Sequence, residues 1–267
     1  MIDPSKILVI KFGGHAMSDK DGLFATKLKS ATAQGLRVVI VHGGGPQINV
    51  ALESAGISSE FIGGFRVTTP EIFAVVEDVL SRQVGPSVAE VLTNAGVIAV
   101  ALSGRHSGTL HALRQRTLIN GESADLGLVG TVKEVDCTAI ETVIEKGITP
   151  VISPIASDLE SDGGLNVNAD IAAAAIAGAL HASELIIMTD VQGIYRNWPD
   201  RTSLIDSISA GELELIKGSF AEGMAPKVQA CLDAISAGAT AVRIIDGRDP
   251  DAFANALAHS GGTVVVA

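Results

Sequence analysis

Along most of the chain, short unbroken apolar runs alternate with longer stretches in which apolar residues recur every three or four positions. The runs fall at 7–11, 37–42, 97–102, 148–153, 184–189, 241–246 and 263–267, and most are rich in Val and Ile. A strand that is apolar on both faces is buried on both faces, the condition of a parallel sheet covered by helices. Helical spacing occupies roughly 20–34, 46–55, 70–82, 84–95, 138–146, 168–181, 209–216, 224–237 and 250–259. The pattern predicts an α/β chain. Residues 105–136 interrupt it, because segments such as TLHALRQ and LVGTVKEV are separated by Asn120-Gly121, Gly127 and Gly130; this predicts antiparallel hairpins inserted beside the main sheet. Residues 53–69 read as a glycine-containing loop that closes on a helix after Pro70. The stretch SPIASDLESDGG marks a soft boundary near 150–165 between two halves.

Composition narrows this picture. The chain of 267 residues is 47% hydrophobic, yet its longest uncharged apolar stretch, Ile171 to Leu180, is too short to span a bilayer. The opening MIDPSK lacks the basic-then-apolar pattern of a secretory signal. The two cysteines, Cys137 and Cys231, have neither metal nor redox spacing, which suits a reducing cytoplasm. A net charge of −11 argues against a nucleic-acid surface and gives no attraction to anionic lipid. Any positive field for an anionic ligand must therefore be local, built from particular Lys, Arg and backbone N–H groups.

The stretch VVIVHGGGPQIN (38–49) reads as a buried strand, a turn of Gly43, Gly44 and Gly45, and a helix opening at Pro46. Glycines leave backbone N–H groups open to an anion, and the helix N-terminus adds partial positive charge, so the turn reads as a phosphate cradle; a plain packing turn is the competing reading. A second strand, ILVIKFGG (7–14), brings Lys11, Gly13 and Gly14 to a similar turn. Arg66, in GGFRVTTPE, suits bidentate capture of a carboxylate or simple solvation at the surface. In GGLNVNADIAAAAIAGAL, Asn168 is a plausible N-cap, while the nearly apolar helix that follows places Asp170 inside the molecule, where it needs a cationic partner. Thr189, Asp190 and Gly193 end a buried strand, at the edge where open α/β sheets bind ligands. Lys227 opens a helix, a position unfavourable for the helix dipole, so phosphate or Asp170 is expected to hold it there. There is no GxxxxGK[ST], GxSxG or HExxH, and His106 and His111 are off helical register for a metal pair.

Taken in order, KFGGHAM (11–17), VHGGGPQI (41–48), GFRVT (64–68), LSG (102–104), GLVGTV (127–132), NVNAD (166–170), TDVQGIY (189–195) and GMAPK (223–227) resemble the amino acid kinase family, over nearly the whole chain. The likeness is greatest to the branch that phosphorylates the side-chain carboxylate of N-acetyl-L-glutamate in arginine biosynthesis. The resemblance implies a three-layer αβα sandwich with a mainly parallel central sheet, a lobe at 1–160 for the acyl amino acid and dimerisation, and a lobe at 161–267 for ATP. It implies that Lys11 and Lys227 neutralise charge on the transferring phosphoryl group and that Asp170 holds both lysines. It further implies that Gly14, Gly44 and Gly45 bind phosphoryl oxygens and that Arg66 and Asn166 grip the substrate. Gly13, Gly14, Thr189, Asp190, Gly193 and Met224 would then border the nucleotide, whose phosphates carry Mg²⁺. The nucleophile is a carboxylate already ionised at neutral pH, so positioning and electrostatics suffice without a general base. His15 and Glu222 depart from the usual family pattern beside the site. Arginine-inhibited members carry an extra N-terminal helix that assembles hexamers, and only ten residues precede Lys11, so an arginine-insensitive homodimer is expected. Two alternatives stay open: a carrier-linked aminoadipate kinase of lysine biosynthesis, whose acidic carrier calls for a basic rim (Arg66, Arg105, Arg114 and Arg116 are available), and a non-catalytic sensor with the same fold.

Overall fold

A computed structural model describes residues 2–13, 22–220 and 224–267. The chain runs β1 (Ile7–Phe12), α1 (Leu23–Ala33), β2 (Arg37–His42), α2 (Gly45–Ser54), β3 (Phe61–Ile62), β4 (Phe65–Arg66), α3 (Pro70–Asp78) and, after a π-helical turn at Val79–Val84, α4 (Gly85–Asn94). It continues through β5 (Ala99–Ser103), β6 (Leu110–Arg114), β7 (Val129–Val135), α5 (Thr138–Glu145), β8 (Thr149–Ser153), β9 (Ile155–Asp158), β10 (Gly164–Val167) and α6 (Ala169–Ala179). The last third holds β11 (Glu184–Thr189), β12 (Ser207–Ser209), α7 (Ala210–Ile216), α8 (Ala225–Ser236), β13 (Ala241–Asp246), α9 (Ala252–Leu257) and β14 (Thr263–Val266).

The main sheet has the order β12-β14-β13-β11-β1-β2-β8-β5 and is parallel at every pairing except β13–β14. Successive side chains of a strand point to opposite faces, and the core divides accordingly. Ile7 and Val9 of β1 join the cluster formed with α5, α6 and α8, whereas Leu8, Ile10 and Phe12 join the one formed with α1, α2, α3, α4 and α9. The continuous apolar strands thus give helices on both faces and three layers.

Two regions differ from the sequence pattern. β6 and β7 do form an antiparallel hairpin, but β9 and β10 join them in a small closed barrel, with β6–β9 and β7–β10 parallel. The strands of SPIASDLESDGG are four residues long and flank an acidic turn, too short to show a period against so much polar sequence. The loop read at 53–69 contains the two-residue pairing β3–β4.

Register aligns Lys11 with Val41 and Ile187, and Phe12 with His42. The C-terminal ends of β1, β2 and β11 therefore lie side by side, which positions the candidate site.

Candidate active site

Lys11 points to the same face of β1 as Ile7 and Val9, under the N-terminus of α6. There Asn168 caps the helix, its Oδ1 accepting from the Asp170 N–H at 2.8 Å and the Ile171 N–H at 3.4 Å. Asn168 does the capping, so the Asp170 carboxylate in the first turn is free for another partner. It has two: Lys11 Nζ lies 3.1 Å from Oδ1, and Lys227 Nζ, from the first turn of α8, lies 3.0 Å from Oδ2. The Lys227 contact is a hydrogen bond; that of Lys11 is an ion pair without hydrogen-bond alignment. Asp170 is 3% exposed and Lys11 is 8% exposed. Burial alone would raise the carboxyl pKa, but the ammonium groups of Lys11 and then Lys227 outweigh it and draw it down to about 2. The carboxylate is therefore ionised throughout the physiological range, and the cluster carries a net positive charge.

The glycine turns meet beside this cluster. The Gly43 N–H donates to the Phe12 carbonyl at 2.8 Å, tying one turn to the other. The Lys11 side chain lies over Gly13, where a Cβ would come within 2.8 Å of Nζ. A Cβ on Gly44 would sit 2.4 Å from Leu80 Cδ2, so that turn is held tightly against the π-helical segment. Gly44 caps α2, Gly45 and Pro46 open it, and the N–H groups of Gly44 and Gly45 donate to no protein acceptor among the described residues. Gly14 lies outside the described residues, as do His15 and Glu222.

Arg66 is buried, at 7% exposure, and does not lie solvated on the surface. Its Nη1 donates to Ser59 Oγ and its Nη2 to Asn49 Oδ1, both at 2.6 Å, and the guanidinium stands 4.6 Å over the Phe61 ring. Burial lowers its pKa, yet an arginine keeps its charge in such a setting. Asn166 donates from Nδ2 to Thr68 Oγ1 at 3.2 Å, and that hydroxyl donates to the Arg66 carbonyl at 2.8 Å. Asn166 and Arg66 are thus linked through Thr68.

On the other side of Lys227, a cavity of about 600 Å³ is lined by Thr189, Asp190, Tyr195, Trp198, Met224 and Lys227, among others. Gly193 does not line it; a Cβ there would fall 2.3 Å from Thr263 Oγ1, so its place is in the packing behind the strand end. Tyr195 and Trp198, whose rings meet edge to face at 5.2 Å, are the residues the sequence reading missed here. The signal was available, since the chain has one Trp and one Tyr and both fall just after the Thr189-Asp190 strand end. Asn49, Ser59 and Phe61 were also missed, and only the folded hairpin relates them to Arg66. The arrangement offers paired ammonium groups, backbone donors without a protein acceptor among the described residues, and a partly apolar cavity beside Lys227.

A sequence model of the amino acid kinase family matches residues 6–246. Acetylglutamate kinase of Kineococcus radiotolerans is 46% identical over 270 residues, covering 97% of this chain and 90% of its own length. Acetylglutamate kinase of Paenarthrobacter aurescens is 47% identical over 254 residues, covering 91% of this chain and 80% of its own. Among solved structures, smu.665 from Streptococcus mutans superposes with a TM-score of 0.80 at 28% identity, over 98% of this chain and 99% of that one.

Proposed function

The chain belongs to the amino acid kinase family, and we propose that it transfers the γ-phosphoryl group of ATP to the side-chain carboxylate of N-acetyl-L-glutamate, forming an acyl phosphate in arginine biosynthesis. The observation that carries this reading is the buried Lys11–Asp170–Lys227 cluster between the glycine turns and the cavity, in a kinase with acetylglutamate kinases as relatives.

In this reading the cavity beside Thr189, Asp190 and Met224 takes the nucleotide, with its triphosphate directed at Lys227 and the glycine turns. Each ammonium has three protons, and its contact with Asp170 leaves others for phosphate oxygens. Asp170 makes the pair possible, because two ammonium groups gathered on one buried carboxylate, one buried and one half-buried, would otherwise repel each other. The cluster and the free N–H groups of Gly44 and Gly45 face negative charge that spreads over the phosphoryl oxygens in the transition state. The acceptor carboxylate needs no base, and Arg66 and Asn166 hold the acyl amino acid for in-line attack. Cys231, beneath the cluster, is pushed up in pKa by burial and by Asp170, so it stays a thiol and offers no nucleophile. Both carboxylate oxygens of Asp170 face lysines, which leaves Mg²⁺ to the ATP phosphates, where it would shield their charge.

A carrier-linked acceptor fits the surface less well. Arg105 pairs with Glu77 at 2.9 Å, Arg114 with Asp158 at 3.7 Å and Arg116 with Glu160 at 4.0 Å. These three arginines are each matched by a carboxylate and the fourth, Arg66, is buried, so the rim holds little net charge for an acidic partner. The reading includes a cytoplasmic homodimer. It is supported by the edge of the sheet, where Ile98 and Val100, at 65% and 37% exposure, and Val91 on α4, at 50%, leave apolar area open beside β5. Sedimentation of a Val100→Asp variant should then show monomer where the parent shows dimer.

Hydroxylamine trapping with ATP and Mg²⁺ tests the activity, comparing N-acetylglutamate, glutamate, aspartate and α-aminoadipate derivatives. Hydroxamate from N-acetylglutamate alone is expected. ATP binding without hydroxamate from any free acceptor would instead indicate a carrier-linked substrate or a sensor.

A further inference from the structure

His42 ends β2, immediately before the glycine turn, and is completely buried. Its Nε2 has no hydrogen-bond partner among the described residues; a Cβ on Gly85 would come within 3.1 Å of it. A leucine would fill comparable space without leaving a nitrogen unpaired in an apolar setting, so packing alone does not account for an imidazole here. The other nitrogen explains it. Nδ1 lies 2.8 Å from the Gly43 carbonyl oxygen. A carbonyl only accepts, so Nδ1 carries the proton and Nε2 the lone pair. Burial keeps the ring neutral by pushing its pKa down to about 4, which preserves this single-proton state near neutral pH.

The consequence lies in the next peptide. The Gly43–Gly44 bond is trans, and in a planar trans peptide the N–H points opposite the C=O. Holding the Gly43 carbonyl toward the buried imidazole therefore turns the Gly44 N–H away from the core, where it meets no protein acceptor among the described residues. A peptide between two glycines has no side chain to fix its orientation and rotates more freely than any other kind. Resting on the phosphoryl-transfer reading above, we propose that His42 is a positioning residue: its Nδ1–H locks the Gly43–Gly44 peptide in the orientation that presents the Gly44 N–H to the transferring phosphoryl group.

The first test uses the unmodified protein without substrate. Nitrogen-15 NMR of the imidazole should show the Nδ1–H tautomer alone from about pH 5 to 8; an Nε2–H tautomer, or exchange between the two, overturns the inference. The second is kinetic. His42→Leu should fold with unchanged or higher stability and keep both KM values within about twofold, while kcat falls about 10²-fold, as when one oxyanion donor is lost. His42→Asn, whose side-chain N–H can reach the same carbonyl, should recover most of that loss. A His42→Leu enzyme with parental kcat, or a folded His42→Asn enzyme no better than His42→Leu, overturns the proposal. Absence of acyl phosphate from the parent would defeat the functional reading itself, whereas the tautomer measurement bears on His42 alone.

Discussion

Three side chains from positions 11, 170 and 227 make one electrostatic unit, and each is where it is for a different local reason. Lys11 follows from the alternation of β1, Asp170 from a helix start already capped by Asn168, and Lys227 from a first turn where only an anion makes a lysine favourable. Lys227→Ala should lower kcat by about 10³-fold while KM for ATP changes less than tenfold, because the charge is used chiefly in the transition state; steady-state kinetics check this. Acid titration separates two buried groups. His42 has its pKa lowered from 6.5 to about 4, so the unfolded chain binds the extra proton between those values and stability falls as pH drops through that window. The loss should reach about 3 kcal/mol in urea melts and vanish in His42→Leu. Asp170, lowered from 3.8 to about 2, contributes stability above its unfolded pKa that is lost only further down, as pH falls toward 2.

Among the elements, the β3–β4 hairpin depends on a neighbour that local sequence does not reveal. Thr68 bridges to Gly127, with its N–H donating to the Leu126 carbonyl at 3.0 Å and its carbonyl accepting from the Leu128 N–H at 2.7 Å. Gly127 has φ +66°, and a Cβ there would lie 2.4 Å from the Thr68 carbonyl oxygen. A backbone atom has nowhere to go, so Gly127→Ala should cost about 2 kcal/mol or more. Because Arg66 and Asn166 both meet Thr68, KM for the acyl acceptor should rise with it and KM for ATP should not. Thermal melts and paired kinetics separate the two effects.

For the whole molecule, the proposed function puts the nucleotide on the half after residue 160 and the acyl acceptor on the half before it, with Asn166 reaching across from the second half. Trp198 is the chain's one tryptophan and lines the cavity assigned to ATP. Its fluorescence should change when a non-hydrolysable ATP analogue is added and stay constant with N-acetylglutamate alone. The opposite response would place the nucleotide elsewhere.

Much of this protein was legible in one dimension. Burial on both faces writes itself as unbroken Val/Ile runs, and a tight strand-to-helix turn writes itself as glycines after a strand, so the sheet, its helices and the Gly43–Gly45 turn could be read locally. The apolar helix after Asp170 even disclosed that this carboxylate is buried and needs a cation. Tertiary structure decided what depends on residues far apart in the chain. It joined Asp170 to both lysines, supported Arg66 with Asn49, Ser59 and Phe61, and closed four short strands into a barrel. It also gave Arg105, Arg114 and Arg116 a carboxylate each and turned the Gly43 carbonyl toward His42. Periodicity records only whether a side chain meets core or water; partners and peptide orientations are set where separate segments meet.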